Sequence, residues 1–307
     1  MEKKAIRAAY GEALAALGEK NKQVVVLDAD LAGATMTGTF KKVFPDRFYD
    51  CGIAEADMVD IAAGMSAMGL IPFCSTFAVF AGRCYDQIRN GVCYPKLNVK
   101  FGFSHAGITL GEDGGSHQAV EDIALMRVLP GMTVFVPSDA NECLQCVDAA
   151  AEINGPVFIR TARLPSPVYD ARPFAPGKGV GLRDGGDGVL FTCGIMLEHV
   201  LEAARLLSEK GLEFAVVSFH TLKPFDEEMA RAYAAKCGNV FTVEEHSVIG
   251  GLGDAVAVAV AGQGIKTFRK IGINDVFGQS GKPLDLLRAY GLTGPQIADK
   301  VLETVRA

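Results

Sequence analysis

Glu55 is the first of several residues between positions 48 and 117 whose side chains could take part in a reaction. It follows a predicted strand, 48–51, and occupies the first turn of a predicted helix, 53–68. Its close neighbours are apolar, and a carboxyl with little polar company tends to be poised for proton transfer. A carboxylate in a first turn also interacts favourably with the helix dipole. The sequence therefore leaves two roles open for Glu55: stabilising a helix end, or moving a proton at the mouth of a sheet.

An aromatic pair follows, formed by Phe77 and Phe80. The pattern predicts a helix from residue 77 to about residue 93, and residues three apart share a helix face. Such aromatics either pack in a core or offer a flat surface to a bound ring. Both interpretations are open from the residues alone.

A glycine-rich loop, 111–117, carries three charged or titratable side chains: Glu112, Asp113 and His117. A packing role would not require these polar groups, although a solvated turn would accommodate them. His105 ends a predicted strand at the same edge of the sheet. Two histidines and an aspartate converging there indicate a site for a polar substrate, since histidine can bind, donate or shuttle protons.

Two arginines, Arg7 and Arg163, are candidates for binding a phosphate, because a guanidinium grips an anion through two parallel hydrogen bonds and stays charged. A surface salt bridge is the alternative for each. No Gly-x-Gly-x-x-Gly follows a strand, and the chain has no Walker loop and no Gly-x-Ser-x-Gly elbow. These absences disfavour a nucleotide-binding loop and a serine hydrolase.

Composition limits the partners. The net charge of -6 over 307 residues argues against binding to nucleic acid or an anionic membrane, because both need a basic excess. No apolar run reaches the ~18 residues of a membrane span. The eight cysteines lie among apolar neighbours, as free thiols do in a reducing compartment, and the Cys143–Cys146 pair lacks a second pair for a metal. We expect a cytoplasmic protein that acts on a small molecule.

Short apolar strands alternate with helices through the chain, which predicts an α/β fold with a mostly parallel sheet. From about residue 164 to 187 the periodicity weakens and prolines and glycines accumulate, as in a linker. A second α/β unit follows. We therefore divide the chain into a first domain, 1–165, a linker, 166–186, and a smaller second domain, 187–307.

Taken together, these segments resemble transketolase over essentially the whole chain. The resemblance covers only the C-terminal half of a full transketolase, which comprises its pyrimidine-binding domain and its C-terminal domain. The matching pieces are, in order, Leu27-Asp28-Ala29-Asp30-Leu31, Gly52-Ile53-Ala54-Glu55, Pro72-Phe73-Cys74-Ser75-Thr76-Phe77, Tyr85-Asp86-Gln87-Ile88-Arg89, Gly111-Glu112-Asp113-Gly114, His117-Gln118, Pro137-Ser138-Asp139, Phe158-Ile159-Arg160-Thr161-Ala162-Arg163, Val243-Glu244-Glu245-His246 and Gly250-Gly251-Leu252-Gly253. The chain looks like the C-terminal subunit of a split transketolase.

The resemblance implies thiamine diphosphate as the cofactor and transfer of a two-carbon unit from a ketose phosphate to an aldose phosphate. Glu55 would hydrogen-bond the aminopyrimidine ring of the cofactor. Phe80 would stack on that ring with Phe77 beside it. Asp30 and Leu31 would lie near the thiazolium.

The resemblance also assigns the substrate side. Asp113 and His117 would contact the sugar hydroxyls and carbonyl, while Arg7, His105 and Arg163 would hold the phosphate end. His105 and His117 would join Glu55 as catalytic groups. Thr35 is a weaker candidate, since a serine that helps bind the phosphate falls near it in the family. The chain departs from the family pattern at Arg83, where many transketolases have tyrosine, and at Gly115, which replaces a common proline.

Half of the family's site is missing from this sequence. In transketolases a Gly-Asp-Gly motif followed by an asparagine, in the N-terminal half, holds the diphosphate and its Mg2+ (or Ca2+). The only Gly-Asp-Gly here, 186–188, opens the second domain and has no suitable asparagine after it. We therefore expect no metal ligands in this chain, a separate N-terminal transketolase subunit as partner, and an α2β2 assembly.

Related thiamine enzymes remain as alternatives, because they share the Gly-Ile-Ala-Glu motif. 1-Deoxyxylulose-5-phosphate synthase usually lacks the acid at Glu112, and the β subunits of 2-oxoacid dehydrogenases lack the histidine at His117. A non-catalytic structural or regulatory paralogue would be expected to lose Glu55 or the histidines, and all are present. An orphan α/β protein that merely binds a nucleotide is disfavoured by the missing phosphate loop.

Overall fold

The computed structural model describes residues 2–306 of the chain, and strands in this part form two large sheets and a small two-stranded one. In chain order the strands are β1 (Lys3–Ala5), β2 (Val24–Asp28), β3 (Phe48–Asp50), β4 (Ile71–Ser75), β5 (Lys100–Phe103), β6 (Thr133–Phe135), β7 (Val157–Arg160), β8 (Pro165–Pro167), β9 (Val180–Arg183), β10 (Gly188–Thr192), β11 (Phe214–Ser218), β12 (Thr221–Lys223), β13 (Asn239–Ser247) and β14 (Thr267–Ile273).

The α-helices of the described chain connect these strands and cover the sheets. They are α1 (Ile6–Lys20), α2 (Ala32–Thr35), α3 (Gly38–Val43), α4 (Glu55–Ala67), α5 (Asp122–Val128), α6 (Ala140–Glu152), α7 (Met196–Ser208), α8 (Glu227–Cys237), α9 (Leu252–Val260), α10 (Pro283–Ala289) and α11 (Gly294–Arg306). No helix within residues 2–306 is both long and apolar enough to cross a membrane.

The first large sheet has the strand order β12-β6-β7-β5-β4-β2-β3. Every pairing in it is parallel except that of the edge strand β12. The strands β2, β4, β5 and β7 are buried along their whole length, which explains why they appear as continuous apolar runs rather than alternating ones. The predicted α/β fold with a mostly parallel sheet is confirmed.

The second large sheet has the order β14-β13-β10-β11-β9, with β9 antiparallel to β11. Strand β9 lies inside the segment predicted to be a linker, and β8 pairs with β1 at that segment's start. Strand β12 follows β11 but joins the edge of the first sheet, beside β6. The predicted domain boundaries stay a prediction. The segment predicted as the second domain contributes one strand, β12, to the first sheet.

The helix predicted from residue 77 to residue 93 is wrong. The structure has a 3-10 segment at Ala78–Arg83 and a π-helical segment at Gln87–Cys93, with a break between them. Phe77 still belongs to the sheet, since it forms a β-bridge with Ser104, and the Ala78 amide donates to the Ser104 carbonyl over 2.7 Å. These backbone contacts tie the start of the segment to β5 and prevent a regular helix.

A packing test of this architecture uses Gly102, which lies in the central strand β5. A methyl group at its Cα would overlap the buried ring and hydroxyl of Tyr10. Gly102→Ala should therefore lower the free energy of unfolding by about 1–3 kcal/mol, as overpacked cores do.

The matched control is Gly64→Ala in α4, where an added methyl group meets no atom within 4 Å. It should raise the free energy of unfolding by about 0.5–1 kcal/mol, because alanine favours a helix over glycine. Urea denaturation of both variants makes the measurement. Equal stability of the two variants would contradict the described packing of β5 on α1.

Candidate functional site

The site lies at the carboxyl edge of the first sheet. Parallel pairing of β3, β2, β4, β5 and β7 brings the segments that follow them to one edge. Ligands of open α/β sheets collect at such edges. All the residues predicted from the sequence for the site, apart from Arg7 at the start of α1, follow one of these strands.

Glu55 is the first residue of α4 and is only 4% exposed. The Arg83 guanidinium approaches its carboxylate, with Nη1 at 3.7 Å from Oε2. Within residues 2–306 no group donates a hydrogen bond to this carboxylate. Its oxygens are therefore open to a hydrogen-bond donor from outside the chain, in a pocket that excludes most water.

Four rings near Glu55 contact one another. Phe77 lies parallel to Phe80 with ring centroids 5.9 Å apart, and stacks on His105 at 3.8 Å. His117 meets the edge of Phe80 at 5.8 Å. Arg83 covers the Phe80 ring, with its guanidinium carbon 4.7 Å from the ring centroid. A continuous series of contacts thus joins Glu55 to both histidines.

His105 is held on both of its ring nitrogens. Nδ1 lies 2.8 Å from the Ser104 hydroxyl, and Nε2 lies 3.3 Å from Nη1 of Arg7. Its backbone has a φ of 61°, in the left-handed region that non-glycine residues rarely adopt. Burial, and then the nearby charges of Arg7 and Arg163, lower the pKa of His105 to about 3. The ring is therefore neutral at physiological pH.

Arg7 and Arg163 line one cavity of about 330 Å3, together with Thr109 and Glu112. Arg7 donates to the Ala34 carbonyl over 2.6 Å, and Arg163 donates to the Leu110 carbonyl over 2.8 Å. The Nε of Arg7 is buried and has no hydrogen-bond partner in the described chain. Two guanidinium groups with an unpaired buried N–H fit an anion.

Asp113 and His117 are carried by the glycine-rich loop. Asp113 is exposed and lies 3.8 Å from Arg163, while His117 Nδ1 lies 2.9 Å from the Ser116 hydroxyl. Directly after the loop, the side-chain NH2 of Gln118 shares its two N–H groups among three carbonyl oxygens, those of Ile108, Gly111 and Gln279, at 3.0–3.1 Å. The loop is therefore ordered by buried hydrogen bonds, while its acid and its histidine face outward.

The segment after β2 is organised by Asp28, which sequence reasoning did not select. This buried carboxylate accepts hydrogen bonds from the Leu31 amide and from the hydroxyls of Thr35 and Thr37, over 2.6–2.8 Å. Burial raises its pKa to about 6, although these bonds oppose the rise. Asp30 projects from the same segment with its amide 3.2 Å from the Asp50 carboxylate.

The structure brings most of the predicted site residues together and leaves the three that follow β2 outside this series of contacts. Glu55, the two phenylalanines, the two histidines and Arg7 form one series of contacts, and Arg163 with Asp113 adjoins it across the anion cavity. Asp30 and Leu31 lie on the neighbouring β2 segment. The hydroxyl of Thr35, in contrast, is engaged with Asp28, so its substrate role stays a prediction. Arg83 was seen in the sequence only as a departure from the family pattern, yet its spacing of three from Phe80 signals the contact.

These residues fit the pyrimidine end of thiamine diphosphate. A buried carboxylate and a half-buried phenyl ring both contact Arg83, and an aminopyrimidine would require such an acid and such a ring. No group of three or more histidine, cysteine, aspartate or glutamate side chains within residues 2–306 is arranged to hold a metal ion.

A larger cavity of about 520 Å3, lined by Cys93, Tyr94 and Gly131 among others, lies at the opposite, amino-terminal ends of the strands.

The neutral state of His105 is testable by NMR titration of its imidazole. The ring should remain unprotonated from pH 5 to pH 8, because burial and two guanidinium groups disfavour its cation. Arg7→Met should raise the pKa of His105 towards its usual 6.5 without reaching it, since burial, the larger cause, remains.

The matched control is Arg172→Met. Burial, and then the charge of Arg172, lower the pKa of His220 to about 4. This variant should therefore raise the pKa of His220 and leave that of His105 unchanged. Protonation of His105 with a pKa near 6.5 in the unmodified protein would contradict the described environment.

Comparison with known proteins relates most of the chain to one family. A family model for the transketolase pyrimidine-binding domain matches residues 2–167, and one for the transketolase C-terminal domain matches residues 177–297. A solved structure described as a split gene transketolase, inactive beta4 tetramer, has a TM-score of 0.91 and 48% identity to this chain, covering 98% of each.

Sequence relatives extend this similarity. A Methanocaldococcus jannaschii protein assigned as a transketolase C-terminal section is 45% identical over 99% of this chain and 97% of its own. A 6-deoxy-6-sulfo-D-fructose transketolase subunit of a Clostridium species is 40% identical over 97% of this chain and 93% of its own. Human transketolase is 39% identical, and this chain spans 49% of its length. The chain belongs to the transketolase family and carries its pyrimidine-binding and C-terminal domains.

Proposed function

We propose that this chain is the C-terminal subunit of a split transketolase. With a separate N-terminal subunit and thiamine diphosphate, it transfers a two-carbon ketol unit from a ketose phosphate to an aldose phosphate. The observation that carries the proposal is a series of contacts that leads from Glu55 to Arg7. It runs through Arg83, Phe80, Phe77 and His105, and His117 packs against Phe80 beside it. It supplies an acid, a ring-binding face and an anion-binding end in one site.

At the cofactor end, Glu55 would hydrogen-bond the aminopyrimidine and share a proton with it. Phe80 would bind the face of that ring, supported by Phe77. Asp30 and Leu31 would contact the thiazolium side. When bound, the cofactor supplies the carbon nucleophile and electron sink, so the protein's part is placement, water exclusion and proton management.

At the substrate end, Arg7 and Arg163 would bind the anionic group of the sugar. His105, being neutral, would offer one ring nitrogen as a hydrogen-bond partner without adding a third positive charge. His117 and Asp113 would contact the hydroxyls and carbonyl nearer the cofactor. His117 would move a proton there, and its contact with the edge of Phe80 supports this role because Phe80 would bind the cofactor ring.

The need for a partner is supported by the matched domains and by one relative. The match covers the pyrimidine-binding and C-terminal domains. The solved split gene transketolase is described as an inactive beta4 tetramer. The N-terminal subunit would hold the diphosphate and its Mg2+ (or Ca2+), and an α2β2 assembly would place each site between subunits. The expected location is the cytoplasm.

The donor sugar has a second candidate. One relative is named for 6-deoxy-6-sulfo-D-fructose, a ketose that carries a sulfonate instead of a phosphate. Two guanidinium groups around the anion cavity could bind either group, since both present several acceptor oxygens. A ketose sulfonate is therefore the alternative donor to a ketose phosphate.

The proposed role of Glu55 is tested in the reconstituted enzyme with Glu55→Gln. This change keeps the shape of the side chain and removes its charge and proton affinity. The rate of two-carbon transfer should fall by about a hundredfold or more, the usual loss when a proton-transfer group is removed. Calorimetric binding of thiamine diphosphate with Mg2+ to the same assembly supplies a second reading, and should weaken.

Asp57→Asn is the matched control, because Asp57 is exposed in the same first turn of α4. It removes a similar helix-dipole interaction and should leave the rate within about threefold. If both variants lost the same small fraction of activity, Glu55 would only stabilise the helix.

A further inference from the structure

The end of strand β13 lies buried against the first sheet. Its pairing with β14 becomes irregular between Val243 and Ser247. There the Arg160 guanidinium donates to the Glu245 carbonyl over 3.0 Å, the Ala124 amide donates to Nε2 of His246 over 3.3 Å, and the Ser247 amide donates to the Val120 carbonyl over 2.7 Å. A strand of the second sheet thus reaches the back of the candidate site.

The side chain of Glu245 makes the contact closest to that site. Its Oε1 accepts a hydrogen bond of 2.6 Å from the Thr109 amide, in the first turn of the segment Ile108–Leu110. The carboxyl fills the space beside Gly107, where any side-chain carbon would overlap it. Gly107 also has a φ of 79°, so glycine is required there on both counts.

The segment that Glu245 holds leads directly into the glycine-rich loop. Leu110 accepts the hydrogen bond from Arg163, and Thr109 lines the anion cavity with both arginines. The loop's two ends are joined, because the Gly107 amide donates to the Ala119 carbonyl over 2.8 Å. The Glu245 contact therefore fixes the position of the loop relative to the anion cavity.

We propose that Glu245, supplied by the second domain, is a positioning residue that sets the 107–118 loop for sugar binding. The carboxylate acts through the Thr109 amide and touches no substrate. Glu245 is buried, and its Oε2 accepts no hydrogen bond in the described chain. Burying a carboxyl in this way costs folding free energy. The catalytic consequence rests on the proposed function, whereas the effect on the loop does not.

Glu244 provides a matched control in the adjacent position. It is as buried as Glu245, but its oxygens accept from the Leu252 and Gly253 amides at the start of α9, over 2.7 and 2.8 Å. Those contacts stay within the second sheet and its helix. Glu244→Asp, which sets this carboxylate back by one methylene, should therefore affect stability without moving the loop.

The experiment measures amide hydrogen exchange across residues 105–118 in the isolated chain, and the KM for the ketose donor in the reconstituted enzyme. Glu245→Ala removes the acceptor, Glu245→Asp sets the carboxylate back by one methylene, and Glu245→Gln keeps an acceptor oxygen at full length. The alanine and aspartate variants should exchange the Thr109 amide about three- to tenfold faster, the usual effect of losing one hydrogen bond. Their KM should rise by about tenfold with kcat within about threefold, and the glutamine variant should retain most of both.

The outcomes separate positioning from general packing. Faster exchange confined to the loop in Glu245→Asp, absent from Glu244→Asp, supports the proposal. Unchanged Thr109 exchange in Glu245→Asp, or an equal increase in Glu244→Asp, overturns it. If the unmodified reconstituted enzyme transferred no two-carbon unit, the proposed function would fail, and exchange in the isolated chain would still decide the role of Glu245. Should Glu245→Ala not fold, the aspartate variant carries the same test.

Discussion

Parallel strand pairing is the constraint on which the rest of this structure depends. Five neighbouring strands, β3, β2, β4, β5 and β7, all end at the same edge of the first sheet. That single direction brings an acid, two phenyl rings and two histidines, spread over residues 55 to 117, into one series of contacts that runs through Arg83. It also places Arg163 at the cavity beside them. Arg7 joins them because α1 begins beside this edge. Reversing one central strand would scatter these groups between the two ends of the sheet.

The site so formed has two unlike ends, and each suits a different part of the proposed reaction. Near Glu55 aromatic rings and Arg83 accompany an almost fully buried carboxylate, which favours a flat heterocycle, and the exclusion of water strengthens electrostatic interactions there. At the other end Arg7 and Arg163 line a cavity together with Glu112, and the neutral His105 adds no further positive charge. Behind both ends, buried polar contacts from the second sheet support the loop that carries Asp113 and His117. In the proposed function the partner subunit holds the diphosphate and its ion; within residues 2–306 no cluster of three or more histidine, cysteine, aspartate or glutamate side chains is arranged to hold a metal.

The sequence was a good guide where structure follows from local chemistry. Strands such as β2, β7 and β10 stand out because buried parallel strands are continuous apolar runs, and the family motifs mark the loops at their ends. The sequence failed where backbone contacts between distant segments decide the outcome. The Phe77 to Cys93 region looks helical until its start is paired with Ser104, and β12 has only three residues. Glu245 contacts Thr109 across 136 positions in the chain, which no local pattern signals.

The most direct test of the account is two-carbon transfer from xylulose 5-phosphate to ribose 5-phosphate, with thiamine diphosphate and Mg2+. The assay compares this chain alone, the N-terminal subunit alone and a mixture of the two. We expect transfer only in the mixture, because each chain supplies one side of the site. Turnover by this chain alone would show that it holds a complete site and would contradict the account.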